Sequence, residues 1–252
     1  MIRYAAIETE PVTEDRPMLA KNLVALYETD PDIVAAVLPR PLEPAEPHVR
    51  VTFAQVDMPG STEPLGAGTF AVQCRHDDLV GFYDLLMIIN REPAVVGGRE
   101  TFGEPKKLGQ ASVDNDGRVV SGVMSRMGVD LLEIRGTVAE VLQPQPLNER
   151  YAFYVKFLLD PSGKGFDHDP ELVLVKRGQE DQVRQRIDGE LILRESRFDP
   201  VADVPVRRLL SIVYTESYQT QSGSILGPVP AEWVWPFRHQ RYDGLMARLQ
   251  QA

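Results

Sequence analysis

Cysteine is almost missing from this chain: Cys74 stands alone among 252 residues. An internal disulfide and a thiolate metal cluster are therefore both excluded. Histidine is scarce as well, with His48, His76, His168 and His239 scattered along the sequence. Two acidic turns contain one, His76-Asp77-Asp78 and Asp167-His168-Asp169, but neither has the fixed spacing of a metal site, and both read as solvated turns. Positive charge is in deficit, since 27 Lys and Arg face 37 Asp and Glu for a net charge of −10. This balance argues against nucleic acid, whose phosphates demand a basic face, and against an anionic membrane surface. It leaves an anionic substrate open, because a local cluster such as Arg99, Lys106 and Lys107 reverses the field inside a cleft. No run approaches the roughly 20 apolar residues that span a bilayer. The mixed, acidic first residues carry no apolar signal region. The expectation is a cytoplasmic protein. G-x-S-x-G, Walker and Rossmann patterns are missing too.

What is present is ordinary for a soluble globular chain: 43% apolar and 25% charged residues. A chain of this length buries a sizeable core without staples. No internal repeat, low-complexity tract or linker divides it, so residues 1–252 are expected to form a single domain. Residues 1–17, with four acids and two prolines, read as an extended arm.

Short β patterns dominate. Leu19 to Tyr27 is a strand or a short helix, and its period does not decide which. Asp30-Pro31 starts a helix that must stop before Pro39. Val49–Phe53 alternates as a half-buried strand, and Thr69–Arg75 and Phe82–Asn90 are two more, the second apolar on both faces. A hairpin turns at Asp114-Asn115-Asp116-Gly117. Further strands are expected within Val129–Val141, Tyr151–Leu159, Leu172–Val175 and around Leu191–Leu193, with Ser211–Tyr218 as a candidate site wall. In that last segment Tyr214 and Tyr218 are pocket residues only if it lines the cavity. Trp233 and Trp235 would share a face of a strand, for core packing or a subunit contact. Asp243 to Gln251 is expected to be a terminal helix. Many short strands, few helices and no βαβ alternation predict a mainly β, α+β domain.

One stretch stands out, Gly97-Gly98-Arg99-Glu100-Thr101-Phe102-Gly103-Glu104-Pro105-Lys106-Lys107-Leu108-Gly109, read as a glycine-rich loop leaving a buried strand. A lysine amine is protonated at neutral pH unless burial or a second cation lowers its pKa. Once neutral, it condenses with a ketone to an iminium, which draws electrons from the adjacent carbon. A solvated turn is the plainer reading of a Lys-Lys pair.

The segment resembles the signature of the acetoacetate decarboxylase-like superfamily, in which a G-R-E triplet leads into P-K-K-L. Leu38-Pro39-Arg40-Pro41-Leu42-Glu43 is similar to its entry segment, and Asp203-Val204-Pro205-Val206 to its late turn. The similarity runs from about residue 20 to about residue 215. It implies a closed, cone-like, double-barrel antiparallel sheet with a few short helices, the lysine inside, usually in a homo-oligomer. It implies that Lys106 forms the Schiff base and that Lys107 lowers its pKa, a mechanism that comes with the resemblance and not from the spacing. Arg99 is the candidate substrate-binding residue. Glu100 serves structure or chemistry, and Glu104 acts as an acid/base if it points inward. Aligned without gaps, the arginine that decarboxylases place near the substrate carboxylate falls on Ala20, and their two active-site acids fall on Thr52 and Ala67.

The expected activity is a Schiff-base lyase on a small oxo acid, with no metal or organic cofactor. A pyruvate-type aldolase-dehydratase is favoured because the decarboxylase Arg and acids are replaced. Decarboxylation of acetoacetate or another 3-oxo acid is the alternative. A non-catalytic carboxylate-binding protein is the rival from another class.

Overall fold

A computed structural model describes residues 17–58 and 62–243. The expected N-terminal arm and terminal helix lie outside these residues, apart from Pro17 and Asp243. Eleven strands carry the fold. Five come early: β1 (Met18–Glu28), β2 (Glu43–Val56), β3 (Leu65–His76), β4 (Leu79–Ile89) and the short β5 (Lys106–Leu108). Then follow β6 (Gln110–Asn115), β7 (Val119–Arg126), β8 (Val129–Val141), β9 (Asn148–Lys156), β10 (Glu171–Leu193) and β11 (Arg208–Pro228). The helices are short: α1 (Pro31–Val37), α2 (Glu92–Phe102) and α3 (Ala231–Val234), besides two 3-10 turns. The mainly β, α+β expectation is correct.

Seven strands close into a ring in the order β11-β1-β2-β3-β4-β9-β10, with β10 pairing back onto β11. Strands β8, β7 and β6 continue from β10 as an outer sheet. The long β10 makes this possible, since residues 171–179 pair with β9 and residues 185–193 pair with β8. Leu172–Val175 and Leu191–Leu193, expected as separate strands, are thus two ends of one. The polar stretch between them stays extended because β11 holds its other edge.

Strand alternation sends successive side chains to opposite faces. Val49, Val51 and Phe53 of β2 enter the main core with Phe70, Val72, Met124 and Leu132. Arg50, Thr52, Ala54 and Val56 face the ring's interior. A second, small apolar cluster of Met87, Ala152, Tyr154, Val173 and Val175 packs with Phe102. Trp233 lies in α3 and Trp235 in the 3-10 turn that follows, not in a strand. Trp235 packs edge-on against Phe166.

The region read as a glycine-rich loop begins as helix and ends as strand: 97–102 belong to α2 and 106–108 to β5. Pro93 sits at the start of α2, Glu92 lies in its first turn and Arg99 in its last. All three suit the helix dipole and its unpaired N–H groups. Gly103 ends the helix in the left-handed region at φ 77°, donating its N–H to the Arg99 carbonyl. The chain then turns through Pro105 into β5.

Candidate active site

Strand β4 pairs with β9 in parallel at Phe82 and Tyr83 only. Further along, β5 takes over that edge, with Met87, Ile88 and Ile89 opposite Lys106, Lys107 and Leu108. The lysines therefore sit on a strand, and the pleat divides them. Lys106 enters a cavity of about 370 Å3 inside the ring, to which all seven barrel strands contribute. Helix α2 covers it with Ala94, Gly97, Gly98, Thr101 and Phe102.

The Lys106 Nζ lies 2.6 Å from Glu104 Oε2, with the lysine side chain 15% exposed and the glutamate 1%. Arg177 Nη2 donates to Glu104 Oε1 at 3.1 Å and to the Tyr154 hydroxyl at 3.1 Å. Its Nε donates to Gln221. The Tyr154 hydroxyl in turn donates to Asp84 Oδ2 at 2.5 Å. A continuous polar chain thus runs from Lys106 through Glu104, Arg177 and Tyr154 to Asp84.

Burial sets the electrostatics behind this chain. It pushes the Asp84 carboxyl up, against the pull of Arg177 and Arg50. It raises the Tyr154 phenol far above its ordinary value. Burial works against the charge of Arg177, but Tyr154, Glu104 and Asp84 outweigh it and hold the guanidinium firmly protonated. Arg50 and Arg150 also line the cavity, and burial lowers both.

Lys107 points the other way. Its Nζ lies 2.7 Å from Asp199 Oδ1 and 3.1 Å from Asp243 Oδ1. Arg126 bridges the same two acids. Two cations and two carboxylates therefore form a closed network on the far side of β5, beside a separate hollow of about 200 Å3 lined by Phe70, Leu86 and His239 among others. The expected electrostatic partnership of Lys107 with Lys106 does not match this placement.

Arg99 and Glu100 also depart from expectation. Arg99 Nη1 donates to the carbonyls of Lys106 and Arg241, so this guanidinium ties β5 to the C-terminal turn, and it lines neither cavity. Glu100 is exposed on α2 and lines neither cavity. Glu104 does point inward. Thr52 and Ala67 line the cavity, so two positions that the gapless alignment assigns to decarboxylase acids do face the site. Ala20 is buried but lines neither cavity. Tyr214 and Tyr218 line neither cavity, whereas Gln219 and Gln221 of the same strand line the one inside the ring. Among the described residues, no three His, Cys, Asp or Glu side chains converge as a metal site. No described helix is long and apolar enough to cross a membrane.

Sequence reasoning missed Arg50, Arg150, Arg177, Asp84 and Tyr154. Asp84 carried a signal, as one acid inside an otherwise apolar strand. The arginines carried none, because an inward arginine on an alternating strand reads as its solvent face.

The Asp243 carboxyl shows what the Lys107 network does. Burial opposes its charge, but Lys107 and Arg126 prevail and hold it below the usual carboxylate range. Its stabilisation is therefore complete above the unfolded pKa, about 3.9, and is lost as pH falls through the lower folded value. Urea titrations across pH should show stability declining below about pH 4, and Asp243→Asn should flatten that limb.

A family model described as acetoacetate decarboxylase matches residues 6–227. A curated acetoacetate decarboxylase of Paraburkholderia phytofirmans is 40% identical over 91 residues, a match that spans 34% of this chain and 34% of that relative's length. The structure of acetoacetate decarboxylase from Legionella pneumophila superposes with a TM-score of 0.75 at 20% identity, covering 90% of this chain and 93% of the other. The enduracididine biosynthesis enzyme MppR, complexed with the condensation product of pyruvate and imidazole 4-carboxaldehyde, gives a TM-score of 0.69 at 18% identity, covering 85% and 90%. At these identities the two structures establish a common fold.

Proposed function

The chain belongs to the acetoacetate decarboxylase family, and from that membership we propose that it is a lyase acting on a small oxo acid through a Schiff base on Lys106. One observation carries the reading: an amine and a carboxylate 2.6 Å apart, both facing the cavity inside the ring. That is within reach for proton transfer.

Glu104 takes the ammonium proton, and the neutral amine attacks the ketone carbon. The carbonyl oxygen, protonated in the process, leaves as water with a proton returned from Glu104. The product is an iminium, whose positive nitrogen draws electrons from the neighbouring carbon. Arg177 holds Glu104 in place from its other oxygen. Apolar walls at Met87, Ile89 and Phe102 limit water near the imine.

Two features favour carbon–carbon bond formation with pyruvate-like acids over loss of carbon dioxide. Among the described residues, Glu104 is the only carboxylate lining the cavity, and from beside Lys106 Nζ it would be the base that removes a proton from the carbon next to the iminium to give an enamine. Decarboxylation disperses the carboxylate charge, so a strongly cationic cavity stabilises the starting acid more than the transition state. The enamine then adds to an aldehyde, and water is eliminated. The volume lies within the roughly 300–1,000 Å3 of pockets that take ligands much larger than acetoacetate. A fold neighbour's complex with a pyruvate–aldehyde condensation product supports the same branch. The names of the curated relatives support decarboxylation as the second reading.

Borohydride reduction in the presence of pyruvate, and separately acetoacetate, followed by peptide mass spectrometry, tests the proposal. The expected result is a stable adduct on Lys106 and none on Lys107. Carbon dioxide released from acetoacetate would select the decarboxylase branch. If folded protein gave no adduct with either compound or with a panel of larger oxo acids, Lys106 would be a carboxylate clamp and the protein a binder.

A further inference from the structure

The charge inside the ring is the reverse of that of the molecule. In a chain of net charge −10, Arg50, Lys106, Arg150 and Arg177 line the cavity against a single described carboxylate, Glu104. Asp84, behind the wall, is the next acid along the polar chain. Even with both acids ionised, cations exceed carboxylates by two. Conversion of Lys106 to an iminium leaves its positive charge in place.

The arrangement is costly without a ligand. Arg150 of β9 stands directly opposite Arg177 of β10 in the sheet register. Like charges paired across strands are destabilising. Arg50 and Arg177 both act against the charge on Arg150, after burial itself. Arg177 is committed to Glu104, Tyr154 and Gln221, and Arg150 is hydrogen-bonded to Gln179. Arg50 is not committed in this way. Its guanidinium rests 4.0 Å over the Phe82 ring, and its buried Nε has no hydrogen-bond partner among the described residues. A buried, unpartnered guanidinium nitrogen carries a desolvation cost that an anion at the same place relieves.

We propose that the substrate is a dicarboxylic oxo acid, whose ketone meets Lys106 and whose distal carboxylate is held by Arg50 and Arg150. This rests on the Schiff-base reading for the ketone end alone. The distal clamp is carried by the arginines. With Glu104 and Asp84 both ionised, one carboxylate beside the iminium leaves the cavity cationic, and a second brings it to neutrality. Guanidinium forks suit this task because they meet a carboxylate with two parallel hydrogen bonds.

The test compares two 2-oxo acids of equal chain length, 2-oxoglutarate and 2-oxopentanoate, by the rate of borohydride trapping on Lys106. The dicarboxylate should react faster by on the order of tenfold or more, the contribution of one charge-assisted hydrogen bond. Arg50→Gln and Arg150→Gln, checked for folding by circular dichroism, should each bring the ratio towards one while 2-oxopentanoate is still trapped. Equal rates in the unmodified protein would overturn the proposal and leave the Schiff base intact. If neither acid forms an adduct, the Schiff-base reading fails instead, and titration calorimetry with unreactive glutarate and pentanoate decides this one. Tighter binding of glutarate, lost in Arg50→Gln, upholds the clamp, and equal binding refutes it. Should the variants not fold, the ratio in the unmodified protein decides by itself.

Discussion

Gly98→Ala should silence Lys106 while leaving the protein folded. A Cβ at Gly98 would lie 2.5 Å from Lys106 Nζ and closer still to Glu104 Oε2. Both groups are the flexible ends of their side chains, so they would move and the fold would survive. Their movement parts the amine from the carboxylate that serves it. A displacement of about 1 Å in a reacting group costs on the order of 100-fold, and trapping of pyruvate on Lys106 should slow by at least about that factor. The helix gains from the change, since Ala is better than Gly by about 0.8–1 kcal/mol in a helix interior. Gly97→Ala is the control: a Cβ there meets nothing within 4 Å, so it should show the helix's gain without any disturbance of the ion pair and keep the trapping rate. Thermal melts read the first effect and borohydride kinetics the second. Trapping at the unmodified rate in Gly98→Ala would mean that the Lys106–Glu104 pair is not the reacting centre.

Lys107→Met should have the opposite profile, with a large loss of stability and little change in chemistry. Lys107 is buried against Asp199, whose side chain is fully buried, and Asp243. Removing it leaves Arg126 alone to balance two carboxylates. Breaking a buried ion network by deleting one partner costs about 3–5 kcal/mol. For a chain of this length that is a fall in Tm of about 6–20 °C, taking about 2–4 °C per kcal/mol. Below the lowered Tm, Lys106 should still trap pyruvate at close to its original rate. A collapse of trapping in folded Lys107→Met would restore the role that the resemblance implied for this residue. The two variants together separate the two halves of the Lys-Lys doublet, testing whether Lys106 serves chemistry and Lys107 the fold.

The doublet also shows how far the sequence could be read. The motif singled out Lys106, and that residue does face the cavity inside the ring. The direction of Lys107 was not legible, because adjacency in sequence suggests adjacency of charge, and only a strand assignment reveals that the pleat separates them. The segment 92–102 carried every helix marker, including Pro93, Glu92, Arg99 and Gly103, yet Gly97 and Gly98 pulled the reading towards a loop. At Gly98 the glycine has a tertiary origin: it makes room for Lys106 and Glu104, and no local pattern encodes that. β10 was broken in two by its polar middle for a similar reason. Its extended form there depends on hydrogen bonds to β11 and β8, partners far away in sequence. Apolar strands such as β2, β3 and β4 were legible because their burial is written in their own alternation. The arginines of the cavity were invisible, since only ring closure decides which face of β2, β9 and β10 is inside.

Ring closure has a further consequence, one of parity. Going once around a closed ring, strand direction must return to itself, so the number of antiparallel contacts has to be even. Seven strands make seven contacts, and an odd ring therefore cannot be antiparallel throughout. Here six contacts are antiparallel and one, between β4 and β9, is parallel. That obligatory seam is only two residue pairs long, and it is where β5 slips in beside β4 to carry Lys106. Lys106 thus occupies the one joint that the topology cannot close in the same way as the rest. An even-stranded ring could be antiparallel throughout, so its topology would not oblige it to keep a seam where such a strand could enter.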